Sequence, residues 1–258
     1  MEITGRHILI TGANRGIGRA FAKICAEDKA NLHLVVRNED AELVKELSTL
    51  GAKSVTVWNA GLSDRSAVTA LVQKLKGVQI DILFNNAGQL TGGLLETQSM
   101  NEVSEMLQVN VNSLIELTHG ILPGMLERKR GKIINNASIA AYMYFPSNST
   151  YAASKAAVVA FTQCLSLELK DTGVSTLLLI TPSIKTRMLD KVIDIFSKHI
   201  EVPDEAMSPS QYVKMIREAI LHDLEVVEPS GLTGWALKAA KFAKPLFDFE
   251  IKRRFHRS

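Results

Sequence analysis

The chain has 258 residues, 46% of them apolar and 22% charged, with two cysteines and a formal net charge of +3. This composition excludes a disordered chain, a fibrous repeat and a disulfide-built scaffold, and a chain of this length buries enough surface to fold without cross-links. Cys25 and Cys164 read as small buried apolar residues. No apolar run approaches the roughly 18 residues of a membrane span. The residues before the first strand signal show no secretory pattern, so a cytoplasmic protein is expected.

The charge is unevenly placed. Residues 231–258 carry Lys238, Lys241, Lys244, Lys252, Arg253, Arg254 and Arg257 against Asp248 and Glu250, a balance of +5, which leaves −2 for residues 1–230. The expected organisation is one domain over residues 1–230, with an insert at 187–207, followed by a basic extension, 231–258.

In chain order, His7–Ile10 is a predicted strand ending at Thr11-Gly12, and Gly18–Glu27 a helix. Leu32–Val36 is a strand, Ala41–Leu50 a helix, Ser54–Trp58 a strand, Ser66–Leu75 a helix and Ile80–Phe84 a strand. Met100–Glu127 reads as one long helix, Lys132–Asn135 as a strand, Tyr151–Lys170 as a helix and Val174–Ile180 as a strand. Residues 187–207 break the rhythm with a pattern of one or two short helices. Ser208-Pro209 reads as a helix start, with Ser as N-cap and Pro in the first turn. Leu224–Val227 is the last predicted strand. Strands alternating with helices imply βαβ units and a doubly wound parallel α/β sheet, with helices on both faces and a ligand site at the carboxyl edge where strand order reverses.

Between the first strand and first helix lies Thr11-Gly12-Ala13-Asn14-Arg15-Gly16-Ile17-Gly18. Glycines let the backbone turn and approach a ligand, and the helix start offers free N–H groups to a pyrophosphate. The spacing is G-x-x-x-G-x-G rather than the commoner G-x-G-x-x-G, so its position in the βαβ array carries the reading. Arg15 in the turn and Arg37 after the second strand stand where an acid would serve the ribose hydroxyl of NAD. Two cations there suit the 2′-phosphate of NADP, so NADP(H) is expected over NAD(H).

Tyr151 and Lys155, four apart on a predicted helix, share one face. A nearby ammonium favours a phenolate and brings a phenol toward working pH. Ser138 ends a strand at the ligand edge, thirteen residues earlier.

In this order and spacing, the turn at Thr11–Gly18, the run Asn85-Asn86-Ala87-Gly88, and Asn110, Ser138, Tyr151 and Lys155 resemble the short-chain dehydrogenase/reductase family, in its single-domain branch with a Rossmann-type fold. The resemblance covers roughly residues 5–186. It implies hydride transfer between the cofactor and a carbonyl or secondary alcohol. In that role Tyr151 moves the proton, Lys155 tunes the phenol and holds the nicotinamide ribose, Ser138 polarises the carbonyl and Asn110 anchors a relay water. It further implies that Gly12, Asn14, Arg15, Gly16, Ile17, Gly18, Arg37, Leu62, Asn86, Ala87, Gly88, Pro182, Ile184 and Thr186 contact the cofactor, together with Tyr151 and Lys155. The family is usually a homodimer or homotetramer built through its long helices. Asn110, Asn86 and Thr186 each have a plainer reading as well: a backbone-bonding Asn, a turn residue and a helix N-cap.

Two positions depart from the family. Gly61 stands where an Asp usually bonds the adenine, leaving the backbone of Leu62 for that contact, and Pro182-Ser183 replaces Pro-Gly, a cost if the turn needs positive φ. The resemblance also argues against C=C reduction, because enoyl reductases of the same superfamily typically space Tyr and Lys more widely than Tyr-x-x-x-Lys. The alternative function is a non-catalytic dinucleotide sensor or scaffold, against which the complete proton-relay set argues.

Tyr142, Met143 and Phe145 after Ser138, with Met188 in the insert, are candidate substrate-pocket residues. Their apolar character points to a small hydrophobic ketone, aldehyde or alcohol, although core packing explains them equally. From Trp235 to Leu246 the tail reads as an amphipathic helix with Trp235, Ala239, Phe242, Ala243 and Leu246 on one face. That face could pack on a partner subunit, close the pocket, or lie on an anionic membrane as a peripheral contact, the first two being the plainer readings. The histidines lack metal-ligand spacing and no nucleic-acid module is visible, so neither a metal nor nucleic acid is expected.

Overall fold

The computed structural model describes residues 1–197 and 206–255. The elements are β1 (His7–Thr11), α1 (Gly16–Glu27), β2 (Asn31–Val36), α2 (Ala41–Thr49), β3 (Ser54–Asn59), α3 (Arg65–Leu75), β4 (Ile82–Asn85), α4 (Met100–Leu107), α5 (Ser113–Glu127), β5 (Gly131–Asn136), α6 (Ser149–Glu168), β6 (Val174–Leu179), α7 (Arg187–Phe196), α8 (Pro209–Leu221), β7 (Val226–Val227), α9 (Gly231–Phe242) and α10 (Lys244–Arg254). The seven strands form one parallel sheet in the order β3-β2-β1-β4-β5-β6-β7. The order reverses between β1 and β4, which places the switch point beside Gly12 and Asn86.

The central strands are buried on both faces, as parallel strands covered by crossover helices must be. Alternation decides which helix each residue meets. Ile8, Ile10, Phe84 and Ile134 pack with Phe21 of α1 and Ile216 of α8, whereas Leu9, Leu83 and Ile133 pack with Leu71 of α3, Leu117 of α5 and Leu165 of α6. Short polar side chains start the helices. Asp40 accepts from the Leu43 N–H, Asp64 from the Ser66 N–H, and Ser208 with Gln211 forms a reciprocal capping box on α8.

The predicted long helix over 100–127 is corrected. It runs as α4 and α5 joined by a wide π turn at Gln108–Asn112, and the extra residue in that turn carries Asn110. The tail is also two helices, broken at Ala243 and followed by Pro245 in the first turn of α10. In the insert, α7 covers one predicted helix, and residues 198–205, where a second could fall, lie outside the described residues. Cys25 is buried as expected, but Cys164 is exposed on α6.

At the amino edge of the sheet, buried Asp81 staples three segments. It accepts from the His7 N–H at 3.0 Å, from Gln79 and from Arg130 at 3.1 Å. Burial pushes its carboxyl pKa up, but these donors outweigh burial and hold it below the ordinary value. A depressed value stabilises the fold above the unfolded pKa and the gain is lost as pH falls through the folded value. Asp81→Ala is therefore expected to cost about 1–3 kcal/mol at pH 7, through an unpaired buried N–H, with the difference from wild type shrinking below about pH 4 in urea titrations.

Candidate active site

Strands β4 and β5 each end in a pair of asparagines, Asn85-Asn86 and Asn135-Asn136, and alternation sends the two members of each pair to opposite faces. On the α5 and α6 side, Asn85 donates to Thr118 Oγ1 at 3.1 Å and to Asn135 Oδ1 at 2.9 Å, and Asn135 donates to Thr162 Oγ1 at 2.9 Å. On the other side, Asn136 Nδ2 donates to Asn86 Oδ1 at 3.1 Å, and Asn86 Nδ2 donates to the Thr11 carbonyl at 3.0 Å. Thr181 donates to Asn136 Oδ1 and bonds the Tyr212 hydroxyl. The ends of β1, β4, β5 and β6 are thus tied together by side chains at the edge where the site lies.

The glycine turn rests on this tie. Gly12 has φ +67°, which glycine adopts without strain. Gly18 has no room for a side chain, because a Cβ there would lie 2.3 Å from the Gly12 carbonyl oxygen and 2.6 Å from Asn86 Nδ2. Thr11 Oγ1 accepts from the backbone N–H groups of Asn86 and Ala87, both at 2.9 Å, locking the two loops together. Asn14 is half-buried, Arg15 is the exposed N-cap residue of α1, and Ile17 packs inward. Thr186 Cγ2 lies over Gly16, so the start of α7 closes on the turn. Thr186 occupies the N-cap position of α7 but its side chain makes no capping bond.

Arg37 is exposed directly after β2, beside β1 in the sheet. Neither Arg15 nor Arg37 has an acidic partner within 4.0 Å among the described residues, whereas nearby Arg19 is held by Asp40 and Glu46. Leu62 is buried, and Gly61 faces open space. Asp64, the nearest acid, is committed to the α3 N-terminus. The concern over Ser183 is corrected: it is absent from the residues with positive φ, so serine fits without backbone strain. Its carbonyl accepts from the Met207 N–H at 3.0 Å, which with the bridge from Ile184 to Met207 anchors the segment after Pro182.

Tyr151 and Lys155 project from the first turns of α6 and are both buried. The Ser138 hydroxyl faces the Tyr151 phenol, whose pKa it pulls down, and accepts from the Ala140 N–H at 3.2 Å. Lys155 Nζ donates to the Asn136 carbonyl at 2.8 Å and sits 5.8 Å from the Tyr151 ring centre. Asn110 accepts from the Gln89 N–H at 2.8 Å and donates to the Gln89 carbonyl at 2.9 Å and to Ser154 Oγ at 3.0 Å. The space over Gly88 is bounded at 3.7 Å by Asn110 Oδ1, Lys155 Nζ and Met188 Cε. The turn, the asparagine ties and the Tyr-Lys pair therefore meet at one place.

The expectation that Lys155 governs the Tyr151 phenol needs correction. Burial is the largest influence on both: it pushes Tyr151 up to about 12, with the Ser138 bond pulling the other way, and brings Lys155 down to about 8. The protein groups alone hold Tyr151 as a neutral phenol, a proton donor in waiting.

Of the candidate pocket residues, Phe145 and Met188 pack in the apolar cluster around Tyr151, with Leu90, Ala140, Val192 and Phe196. Tyr142 and Met143 do not. They belong to the cluster formed with Val158 of α6 and with Leu237 and Ala240 of α9. The plain core reading wins for Met143. Sequence reasoning missed Asn136, Thr11 and Ser154 as supporting groups. The doubled asparagines and the serine directly before Lys155 were the available signals. It also missed Ser147, buried at φ +66° just before α6 with its carbonyl accepting from the Gly93 N–H, a strained non-glycine position beside the site.

Two substitutions test this geometry. Gly18→Ala is expected to lower the melting temperature by several degrees, since the added carbon must displace backbone. For Lys155, the folded pKa lies below the unfolded 10.5, so charging it costs stability at every pH below about 8, and the cost is relieved as pH rises from there. That shift is on the order of 3 kcal/mol, part of which is offset by the bond to Asn136. Lys155→Met is therefore expected to melt a few degrees higher than wild type at pH 7, with the advantage fading toward pH 10 in calorimetric scans.

Comparison with known proteins agrees with this arrangement. The short chain dehydrogenase family matches residues 6–194. The ketoacyl reductase HetN of Nostoc sp. is 34% identical over 177 residues, covering 67% of this chain and 61% of that protein. An uncharacterized oxidoreductase of Staphylococcus saprophyticus is 31% identical over 225 residues, 85% of this chain and 91% of the relative. Among solved structures, a short-chain dehydrogenase from Sphingobium yanoikuyae in complex with NADPH superposes with a TM-score of 0.80 at 25% identity, covering 95% of this chain and 96% of that one. With this family match over residues 6–194 and relatives more than 30% identical over most of its length, the chain belongs to the short-chain dehydrogenase family of oxidoreductases.

Proposed function

We propose that this oxidoreductase uses NADP(H) to interconvert a hydrophobic ketone or aldehyde with its alcohol. The observation that carries the reading is the buried Tyr151 phenol, facing Ser138 and set beside Lys155 in an apolar cluster that Phe145, Met188 and Phe196 help to build. The fit of a dinucleotide rests on the glycines of the Gly12–Gly18 turn at a helix N-terminus and on Arg15 and Arg37, which have no acidic partner within 4.0 Å among the described residues. Those two arginines suit a 2′-phosphate, and the turn with Thr186 suits the pyrophosphate. Bound there, the nicotinamide supplies or accepts the hydride.

The chain's own groups do the rest. Ser138 orients and polarises the carbonyl oxygen. Tyr151 delivers its phenolic proton to that oxygen in reduction and removes it in oxidation. Lys155, anchored on the Asn136 carbonyl, stands ready to stabilise the phenolate left behind and to hold ribose hydroxyls. Asn110, wedged between Gln89 and Ser154, backs the relay. The apolar lining that Leu90, Phe145, Met188, Val192 and Phe196 give the Tyr151 cluster supports an apolar substrate over a keto acid. Exposed Leu107, Ile115 and Leu126 on α4 and α5, with Leu167 on α6, support assembly as a homodimer or homotetramer through those helices.

Fluorescence titration is expected to show NADPH binding more tightly than NADH, with Arg37→Ala weakening NADPH by about ten- to a hundredfold, the worth of one charge-assisted phosphate bond, and leaving NADH unchanged. Equal affinity for the two would reject the NADP(H) assignment. Tyr151→Phe is expected to abolish turnover of hydrophobic carbonyls while NADPH affinity stays within about twofold. Retained turnover would remove Tyr151 from the proton transfer, and wild-type protein that binds cofactor yet turns over no carbonyl or alcohol would favour a sensor.

A further inference from the structure

The tail turns its sequence-predicted face the wrong way for an internal contact. Leu237 and Ala240 are the side chains of α9 that enter the core, while Leu232, Trp235, Phe242, Leu246 and Phe249 are 75%, 72%, 87%, 74% and 68% exposed. They are spaced three, seven, four and three residues apart, with exposed Ala239 inside the longest step, so an apolar pattern spread over both helices is presented outward.

That strip is not waiting for a place on the body, because the tail is already held there by other atoms. Lys241 pairs with Glu228 and lies 4.2 Å from the Tyr142 ring centre, Lys244 lies 4.6 Å from that of Tyr144, and Phe247 meets Phe145 edge-on. A cavity of about 500 Å³ opens between α10 and the first turns of α6, walled by Phe145 and Ile251. The tail is a wall held against the loop after Ser138, with its aromatic side outward.

The charges beside the strip decide its partner. Residues 231–258 carry +5 on a body of −2. Their two acids are consumed within the tail, Asp248 by Lys244 and Glu250 by Arg253 and Arg254. Lys238, 5.2 Å from the Trp235 ring centre, and Lys252 have no acidic partner within 4.0 Å among the described residues. A seam between two copies of this strip would set like charges together with no acid left to answer them. An anionic lipid surface answers them all, and a tryptophan with flanking phenylalanines is the chemistry that settles at a bilayer interface. No described helix is long and apolar enough to cross a bilayer, so the contact is with its surface. We propose that α9 and α10 form a peripheral membrane-docking face, on which Leu232, Trp235, Phe242, Leu246 and Phe249 enter the acyl boundary while Lys238 and Lys252 engage anionic headgroups. The proposal does not depend on which substrate the site takes.

The test is co-sedimentation of the full-length protein with vesicles of phosphatidylcholine alone and of phosphatidylcholine mixed with phosphatidylglycerol. Binding is expected only where phosphatidylglycerol is present, weakening with added salt, with Trp235 emission moving to the blue and quenched by brominated lipid in a Trp58→Phe background. Phe242→Ser with Leu246→Ser, and separately Lys238→Glu with Lys252→Glu, are each expected to lower vesicle affinity by about tenfold or more. All four side chains are exposed, and an unchanged melting temperature establishes that the variants fold. Failure of the wild type to bind anionic vesicles would overturn the proposal. So would a fall in solution mass of the serine variant by light scattering, which would make the strip a seam between subunits.

Discussion

The carboxyl edge of the sheet depends on two asparagine doublets. A parallel sheet already satisfies its backbone groups, so nothing in the ladder itself fixes how the loops leaving β1, β4, β5 and β6 sit relative to one another. Asn86 and Asn136 fix that relation. One reaches the carbonyl of Thr11, the other reaches Asn86 and Thr181, and the Asn136 carbonyl is where Lys155 Nζ comes to rest. The second members, Asn85 and Asn135, tie the same strand ends to α5 and α6 on the opposite face. Buried amides are costly unless partnered, and here the partners are other functional loops. These bonds leave only Asn85 Oδ1 of the four side chains buried without a partner, and they set the distance between the glycine turn and the Tyr-Lys pair.

This placement has an electrostatic consequence. Tyr151 and Lys155 are buried together, and burial favours the neutral form of each. A neutral phenol beside a lysine brought near physiological pH is a different resting state from the phenolate-ammonium pair that four-residue spacing suggests. Proton release from Tyr151 becomes easy only when further positive charge or hydrogen bonding arrives near the phenol oxygen. The site thereby separates holding the proton from moving it, and the stability cost of a buried lysine is borne at rest.

Much of this was legible in the residues alone. Strand-helix alternation, the glycine turn and Tyr-x-x-x-Lys are local signals, and the fold follows them closely. What was not legible has physical causes. The break in the helix over 100–127 is a π turn, which leaves helical periodicity almost intact and shows only in how Asn110 reaches Gln89 and Ser154. Met143 could not be sorted from Phe145, since nearby apolar residues in a short loop point wherever the loop turns them. Periodicity found the apolar strip of the tail but not its direction. Leu237 and Ala240, the two residues that fill the core, make a weaker pattern than the five larger ones left outside.

On the proposed function, the departures at Gly61 and Asp64 say where cofactor affinity must come from. Gly61 leaves open space where a carboxylate could face the adenine, and Asp64 is bound to the α3 N-terminus by the Ser66 N–H and hydroxyl. Neither Gly61 nor Asp64 therefore offers the adenine a free carboxylate. On that proposal discrimination shifts to the phosphate, since Arg15 and Arg37 have no acidic partner within 4.0 Å among the described residues while Arg19 is already spent on Asp40 and Glu46. An affinity concentrated in two exposed arginines is carried by charge, and charge at an exposed edge is screened by salt. Cofactor choice in this chain then rests on electrostatics at one edge of the sheet, and catalysis on a dry, hydrogen-bonded cluster at the other end of the same crevice.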